Sequence, residues 1–253
     1  MRFFIITKRQ IALATALIVC AVIAIIGSLS AFADRDRLLP IYSVDTNEKK
    51  IAISFDAAWG NDDTHNLIEI LKEYEVPATF FVVGAWVDKY PESVKELADA
   101  GHRVQNHSNT HPYMTQLSKI KMTDEITSCN DKIEAITGTA PTLFRPPYGD
   151  YDNAVIETVN GLNMHAIQWS IDSLDWQDSA TAESIYKKVT SKAHPGAIVL
   201  FHNDAEHTPE ALPNILKTLK EQGYEFVFID DLIYKDNYEI KYDGTQCKTN
   251  KAE

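Results

Sequence analysis

Two histidines four residues apart, His107 and His111, lie in the run HRVQNHSNTHPYM and have the spacing of a metal-binding pair. Two neutral imidazoles on one side of a turn suit a divalent metal such as Zn²⁺ or Co²⁺. The motif alone is weak, because short histidine patterns also arise by chance. Its meaning depends on the groups that the fold brings near it.

Charged or titratable side chains follow five apolar, β-rich runs. They are Asp56, the histidine pair, Arg145, Asp172 (with Asp175 and Trp176 close behind) and His202. Taken singly, each also fits a structural role, such as a helix cap or a histidine at the core edge. Because reactive residues gather where parallel strands end, five such groups at one rim indicate an active site.

The elements that must position these groups alternate regularly. The apolar runs cover residues 51–55, 78–83, 102–105, 142–144, 165–171, 197–201 and 226–229, with helix-like stretches at 64–75, 91–100, 122–136, 151–160, 181–192 and 209–222. This order predicts one α/β domain with parallel strands and helices outside, either an open doubly wound sheet or a barrel. Residues 34–48 are interpreted as a linker and residues 236–253 as a loose polar tail.

Residues 11–33 carry no charge, and Arg2, Lys8 and Arg9 precede them. As a helix they would span roughly 35 Å, against a bilayer core of about 30 Å. Residues 1–33 are thus expected to be an N-terminal hydrophobic helix that anchors the protein in the membrane, or a signal peptide cleaved after the A-x-A-type sequence at 31–33. Either would place the remainder outside the cytoplasm.

The exported part is acidic. Residues 1–33 contain three of the 24 basic residues and no acidic residue. Residues 34–253 therefore contain 21 basic and 36 acidic residues, a net charge of −15. No basic stripe is present, so nucleic acid is not an expected partner. Cys129 and Cys247 follow no metal-type spacing, and one disulfide between them is left open.

The strings SFD, HSNTH, RPPYG, DSLDW and LFH resemble, in order and approximate spacing, the motifs of the polysaccharide deacetylases. This family is the NodB-homology domain of carbohydrate esterase family 4, and the resemblance covers residues 49–235. The form FDxxWG is most similar to the PdaB-like sporulation branch. The resemblance implies a deformed (β/α) barrel and metal-dependent removal of acetyl groups from an N-acetylated extracellular glycan, such as peptidoglycan or a chitin-like polymer.

The resemblance also implies roles for individual residues. Asp56 would be the general base, His202 the general acid, and His107 and His111 metal ligands. Arg145 would orient Asp56, and Asp172 would support the site from behind. Tyr148, Trp176 and Leu200 would form the substrate pocket. Trp176 and Leu200 would line the part that holds the acetyl methyl group, and the backbone N–H near Tyr148 would stabilise the oxyanion.

One position departs from the family pattern. The second aspartate of its first motif, the third metal ligand, is here Ala57. Asn61, Asp62 and Asp63 are candidate replacements, and Asp62 is favoured, although Asp62 and Asp63 also suit the cap of the following helix. The gap leaves two alternatives open: a carbohydrate-binding relative with weak catalysis, and a metal hydrolase acting on another amide.

Overall fold

The computed structural model describes residues 18–19 and 37–249. The expected membrane anchor or signal segment, residues 1–33, lies outside the described residues apart from 18–19. Within the described part of the chain, no helix has both the length and the apolar character needed to cross a bilayer. The chain divides into Met1–Leu38 and Leu39–Glu253, and everything below concerns the second unit.

Eleven strands in this unit form one sheet. They are β1 (Ser43–Val44), β2 (Lys50–Ala57), β3 (Ala78–Val82), β4 (Arg103–Asn106), β5 (Leu143–Phe144), β6 (His165–Ala166), β7 (Ile171–Asp172), β8 (Ala197–His202), β9 (Glu225–Phe226), β10 (Tyr238–Ile240) and β11 (Thr245–Lys248). The main order is β10-β11-β1-β8-β2-β3-β4-β5-β6, with β7 paired to β8 and β9 to β2. Pairing is parallel from β8 through β2 to β6, as the alternating sequence predicts.

Helices connect most of the parallel strands. They are α1 (Thr64–Glu73), α2 (Gly84–Lys89), α3 (Pro91–Asp99), α4 (Lys119–Thr137), α5 (Asn153–Gly161), α6 (Ala182–Lys192), α7 (Thr208–Glu221) and the short α8 (Ile229–Leu232). Two 3₁₀ turns, Met114–Gln116 and Pro147–Gly149, lie in the loops that carry the predicted site.

The segment before β2 closes the sheet into a deformed barrel. Ile41 bridges in parallel to Ile167, just beyond β6, while Ser43 pairs with Ala197 of β8. Residues 41–43 therefore connect the segment just beyond β6 to β8, which lie five places apart in the main strand order. The predicted fold class, a deformed (β/α) barrel, is confirmed.

The two-residue period of the strands separates helix-facing from interior side chains. In β2, Ile53 and Phe55 belong to the large apolar cluster shared with the helices, whereas Ala52 belongs to a second cluster on the other face. Ser54 and Asp56 share the face of Ala52. The strand alternation thus directs the carboxylate of Asp56 into the barrel.

The expected linker and tail differ from the structure. Residues 43–44 form β1, and residues 238–240 and 245–248 form a hairpin whose second strand pairs in parallel with β1. The buried amide of Gln246 donates to the carbonyl of Tyr234 at 2.7 Å and accepts from its N–H at 2.8 Å. This long-range pairing stabilises a segment whose composition alone indicates a loose tail.

The C-terminal part of the predicted sheet also differs locally. The apolar run 165–171 divides into two short strands, and residues 229–232 form α8 instead of continuing β9. Cys129 and Cys247 are both buried free thiols, so no disulfide joins them.

Candidate active site

One cavity of about 400 Å³ collects eight of the ten residues predicted to form the site. The eight that line it are Asp56, His107, His111, Tyr148, Asp172, Trp176, Leu200 and His202. Arg145 contacts Asp56 from behind, and Asp62 is not among the lining residues. The cavity lies where β2, β4, β7 and β8 end, as the distribution of charged groups along the sequence predicts.

Asp56 is held by the fully buried Arg145. The Arg145 Nη1 donates to Asp56 Oδ1 at 2.7 Å, and Nη2 donates to the Ser54 hydroxyl at 2.9 Å. The guanidinium also lies 4.1 Å from the ring centroid of Phe81. Burial alone would raise the pKa of Asp56, but the charges of Arg145, His107 and His202 lower it below its usual value. Asp56 is therefore an oriented carboxylate, as a general base requires.

His202 is oriented by Asp175, for which the sequence had suggested no specific role. Its Nδ1 lies 2.7 Å from Asp175 Oδ1, and its backbone N–H donates to Asp175 Oδ2 at 2.9 Å. Asp175 also accepts from the Thr208 hydroxyl at 2.7 Å. Burial would lower the pKa of His202, but the hydrogen bond and charge of Asp175 raise it above its ordinary value.

Asp172 lies in the same cavity, and the supporting role expected for it stays a prediction. Asp172 accepts a hydrogen bond from the Leu174 N–H at 2.9 Å, and its charge acts on both Arg145 and His202. Leu174 has a φ of 58°, and this left-handed turn carries the chain inward so that Asp175 becomes buried against His202. In the sequence, the second aspartate of DSLDW was the available signal for a residue that orients His202.

His107 and His111 lie together as the sequence predicts, with ring centroids 4.9 Å apart. His107 Nδ1 lies 2.7 Å from the Arg145 carbonyl, so this nitrogen donates and leaves the Nε2 lone pair free. That Nε2 lies 3.4 Å from Asp56 Oδ2. Burial lowers the pKa of His107 and lowers that of His111 to about 4. Both rings are neutral near pH 7, which is the form that binds a metal.

The third metal ligand is not supplied by the candidates from the sequence. Asp62 is exposed, and its carboxylate interacts electrostatically with Lys89. Asp63 lies near Asp204 and Asp175, and burial raises its pKa to about 6. Across residues 37–249, no group of three His, Cys, Asp or Glu side chains is arranged to hold a metal ion. The donor chemistry thus fits a cation at two imidazoles, with no third protein ligand in place.

Apolar and aromatic side chains complete the cavity. Leu200 is buried and lies in register with Asp172, whereas Tyr148 and Trp176 are more than half exposed at the rim. Trp59 lies with its ring centroid 5.7 Å from that of His202. Trp169 also lines the cavity and was not recognised in the sequence, since it lies between two short strands.

The fold and the site together define an α/β-barrel protein with two oriented acid–base groups, Asp56–Arg145 and His202–Asp175, at the carboxyl rim of its sheet. Comparison with known proteins then identifies the family. The pattern of the family described as "Polysaccharide deacetylase" matches residues 43–167. The chain belongs to the polysaccharide deacetylase family, which confirms the resemblance seen in the motifs.

Two similar proteins are named as peptidoglycan deacetylases. The peptidoglycan-N-acetylmuramic acid deacetylase PdaA of Bacillus subtilis is 35% identical over 197 residues, covering 77% of this chain and 75% of PdaA. Its solved structure, a family 4 carbohydrate esterase, has a TM-score of 0.73 and covers 76% of this chain and 84% of its own. The peptidoglycan-N-acetylglucosamine deacetylase PgdA of Listeria monocytogenes is 39% identical over 184 residues, covering 73% of this chain and 39% of PgdA.

A third similar protein is a CE4 family pseudoenzyme from Bacillus anthracis. Its solved structure is 34% identical, with a TM-score of 0.74, and covers 83% of this chain and 73% of its own. A mutant of it is described as having restored enzymatic activity. Similarity within this family thus extends to both active and inactive proteins.

Proposed function

We propose that this protein is a hydrolase that removes N-acetyl groups from an extracellular polysaccharide, with peptidoglycan favoured over a chitin-like glycan. The observation that carries the proposal is the convergence of the Asp56–Arg145 and His202–Asp175 pairs on one cavity that also contains two neutral histidines. The names of PdaA and PgdA support the substrate class.

Hydrolysis of an N-acetyl group needs a deprotonated water and a protonated leaving nitrogen. Asp56, ionised and held by Arg145, would accept the proton of the attacking water. His202 would donate a proton to the sugar nitrogen from Nε2, because Asp175 engages Nδ1. Each such transfer is typically worth ~10²–10⁴ in rate.

His107 and His111 would hold a divalent cation, Zn²⁺ or Co²⁺. A cation bound there would polarise the acetyl carbonyl and lower the pKa of a water. The interior face of β8 places Leu200 in the same cavity, where with Trp176 it would contact the acetyl methyl group.

The direct test is acetate release from peptidoglycan and from N-acetylglucosamine oligomers, with Zn²⁺, Co²⁺ or a chelator added. We expect activity that the chelator abolishes and that is lost in Asp56→Asn and His107→Ala. Asp62→Asn is the matched control, since Asp62 is exposed and lies outside the cavity. No acetate from either substrate with any metal would refute the proposal.

A second candidate function is glycan binding without hydrolysis. Two observations favour it: within residues 37–249 no third metal ligand joins His107 and His111, and the chain is similar to a pseudoenzyme. Retention of both acid–base pairs argues for hydrolysis, because a binding protein needs no oriented base. Glycan binding that persists in wild type with no acetate released would select this second function.

Export of the domain and a role in sporulation are further parts of the proposal. Export is supported by the charge-free run 11–33 after basic residues, and the sporulation role by the FDxxWG form of the first motif. Protease accessibility of the protein on intact cells tests export. Digestion only after lysis would refute it.

A further inference from the structure

Tyr113 and Tyr148 form an exposed aromatic pair beside the cavity. Their rings are stacked, with centroids 4.3 Å apart and planes at 17°, and their side chains are 49% and 59% exposed. The other neighbour of Tyr148 is His111, whose ring meets it edge-on at 4.5 Å. Tyr113 thus contacts Tyr148, which in turn contacts His111. Tyr113 itself is not among the residues that line the cavity.

The tyrosine pair is held in place by the structure beneath it. Met114, the next residue in the chain, is fully buried in the apolar cluster under this loop. The Thr115 N–H donates to Asp150 Oδ2 at 2.8 Å, and the Thr115 hydroxyl donates to the same carboxylate at 2.9 Å. These bonds tie the loop of Tyr113 to the loop of Tyr148. The pair is a preorganised surface, which lowers the entropy cost of binding.

Exposed aromatic side chains concentrate around this cleft. Among the described residues, the exposed large aromatics are Trp59, Tyr113, Tyr148, Trp176 and Tyr242, and only the last is elsewhere. Trp59 and Trp176 border the cavity on the side of His202, whereas the tyrosine pair continues it on the side of His111. Exposed aromatic side chains therefore border the cavity both at His202 and at His111.

We propose that Tyr113, stacked on Tyr148, is a binding subsite for a sugar ring adjacent to the sugar that reacts. The proposal rests on the proposed function, because the reacting sugar defines the neighbouring position. A flat aromatic face with a hydroxyl at its edge matches a pyranose ring, which has an apolar C–H face and polar edges. A nucleic acid base would also stack, but the chain's net charge of −12 repels a phosphate backbone. The protein would thus act within an oligosaccharide and would bind single sugars poorly.

The test measures binding of N-acetylglucosamine oligomers of one to six units by calorimetry, and in parallel acetate release from them and from glycan strands of peptidoglycan. In the wild type, affinity should rise once the oligomer reaches Tyr113. Tyr113→Ala should remove that rise, with about a tenfold weaker affinity for the hexamer, as expected for ~1.4 kcal/mol. On substrates that are turned over, the KM should rise and kcat should be unchanged.

Two variants serve as controls. Tyr113→Phe keeps the ring and should behave like the wild type, and Tyr242→Ala removes an exposed tyrosine away from the cleft and should have no effect. Equal affinity and equal KM of Tyr113→Ala and wild type at every length, on both substrate series, would overturn the subsite. Tyr113-dependent binding without acetate release would instead retain the subsite and reject the deacetylase function.

Discussion

The pairing of Asp175 with His202 gives the sharpest prediction. Asp175→Asn keeps the shape of the side chain and removes its charge. The buried carboxylate accepts hydrogen bonds from His202 Nδ1, the His202 backbone N–H and the Thr208 hydroxyl, all between 2.7 and 2.9 Å. A hydrogen bond to a charged group is worth about 1.5–3 kcal/mol and a neutral one about 0.5–1.5 kcal/mol. We therefore expect a loss of about 2 kcal/mol in the free energy of unfolding.

The loss should depend on pH in a defined direction. Because Asp175 raises the pKa of His202 in the folded protein, the resulting stabilisation is complete below the unfolded pKa of about 6.5. This stabilisation disappears as the pH rises through the pKa of His202 in the folded protein. Urea unfolding should thus show a larger deficit for Asp175→Asn at pH 6 than at pH 9.

Activity should respond in a matching way. A general acid must be protonated, so the rate falls as the pH rises through the pKa of His202. Without the charge of Asp175, burial lowers that pKa, and the alkaline limb of the kcat/KM profile should move to lower pH. At pH 7 we expect a loss of about 10²-fold or more in kcat.

Asp172→Asn is the matched control, since Asp172 accepts a hydrogen bond from Leu174 and affects His202 through its charge, without a hydrogen bond to that ring. It should shift the alkaline limb much less than Asp175→Asn. An unmoved limb in Asp175→Asn, or an equal shift in both variants, would refute the assignment of Asp175 as the group that orients His202.

Three further predictions concern the fold and the buried ion pair. Arg145→Met should lower the free energy of unfolding by about 3–5 kcal/mol in urea titrations at pH 7, because it leaves the carboxylate of Asp56 buried without its partner; a smaller loss at pH 4 would confirm that the charge is the cause. Gly196→Ala should cost about 3 kcal/mol, since the residue has φ +75° and a new Cβ would lie 1.8 Å from the Val44 carbonyl oxygen; thermal unfolding unchanged from wild type would contradict this. A chain that ends at residue 235 lacks β10 and β11 and should unfold at a lower urea concentration than the full chain. An unchanged urea midpoint would count against a structural role for this hairpin.

Much of the site was predictable because its residues occupy equivalent places in the chain. Asp56 and His202 each end a strand, and the two-residue period decides which face of the sheet they occupy. Parallel pairing then brings them together, with Asp56 opposite His202 in the register of β2 and β8. The motifs also identified the family correctly, since motif order survives changes elsewhere in the chain.

The aspartate that orients His202 was harder to predict, because the direction of its side chain depends on a turn of the backbone. Asp172 and Asp175 follow the same strand, and only the left-handed turn at Leu174 decides that Asp175 reaches His202. Asp62 and Asp63 illustrate the same difficulty, since local composition is compatible with either ligation or a helix cap. Neither was brought to the histidines by the fold.

By itself, the sequence determined the alternation of strands and helices, the set of reactive residues at the strand ends and the membership of the family. These features depend on local periodicity and on residues close to one another in the chain. Only the tertiary structure decided that residues 43–44 and 245–248 pair in one sheet, that Asp175 orients His202, and that Tyr113 stacks on Tyr148 beside the cavity. Each of these three contacts joins segments that are separate in the chain. Packing across the barrel brings the segments together, and no local sequence pattern encodes the contact.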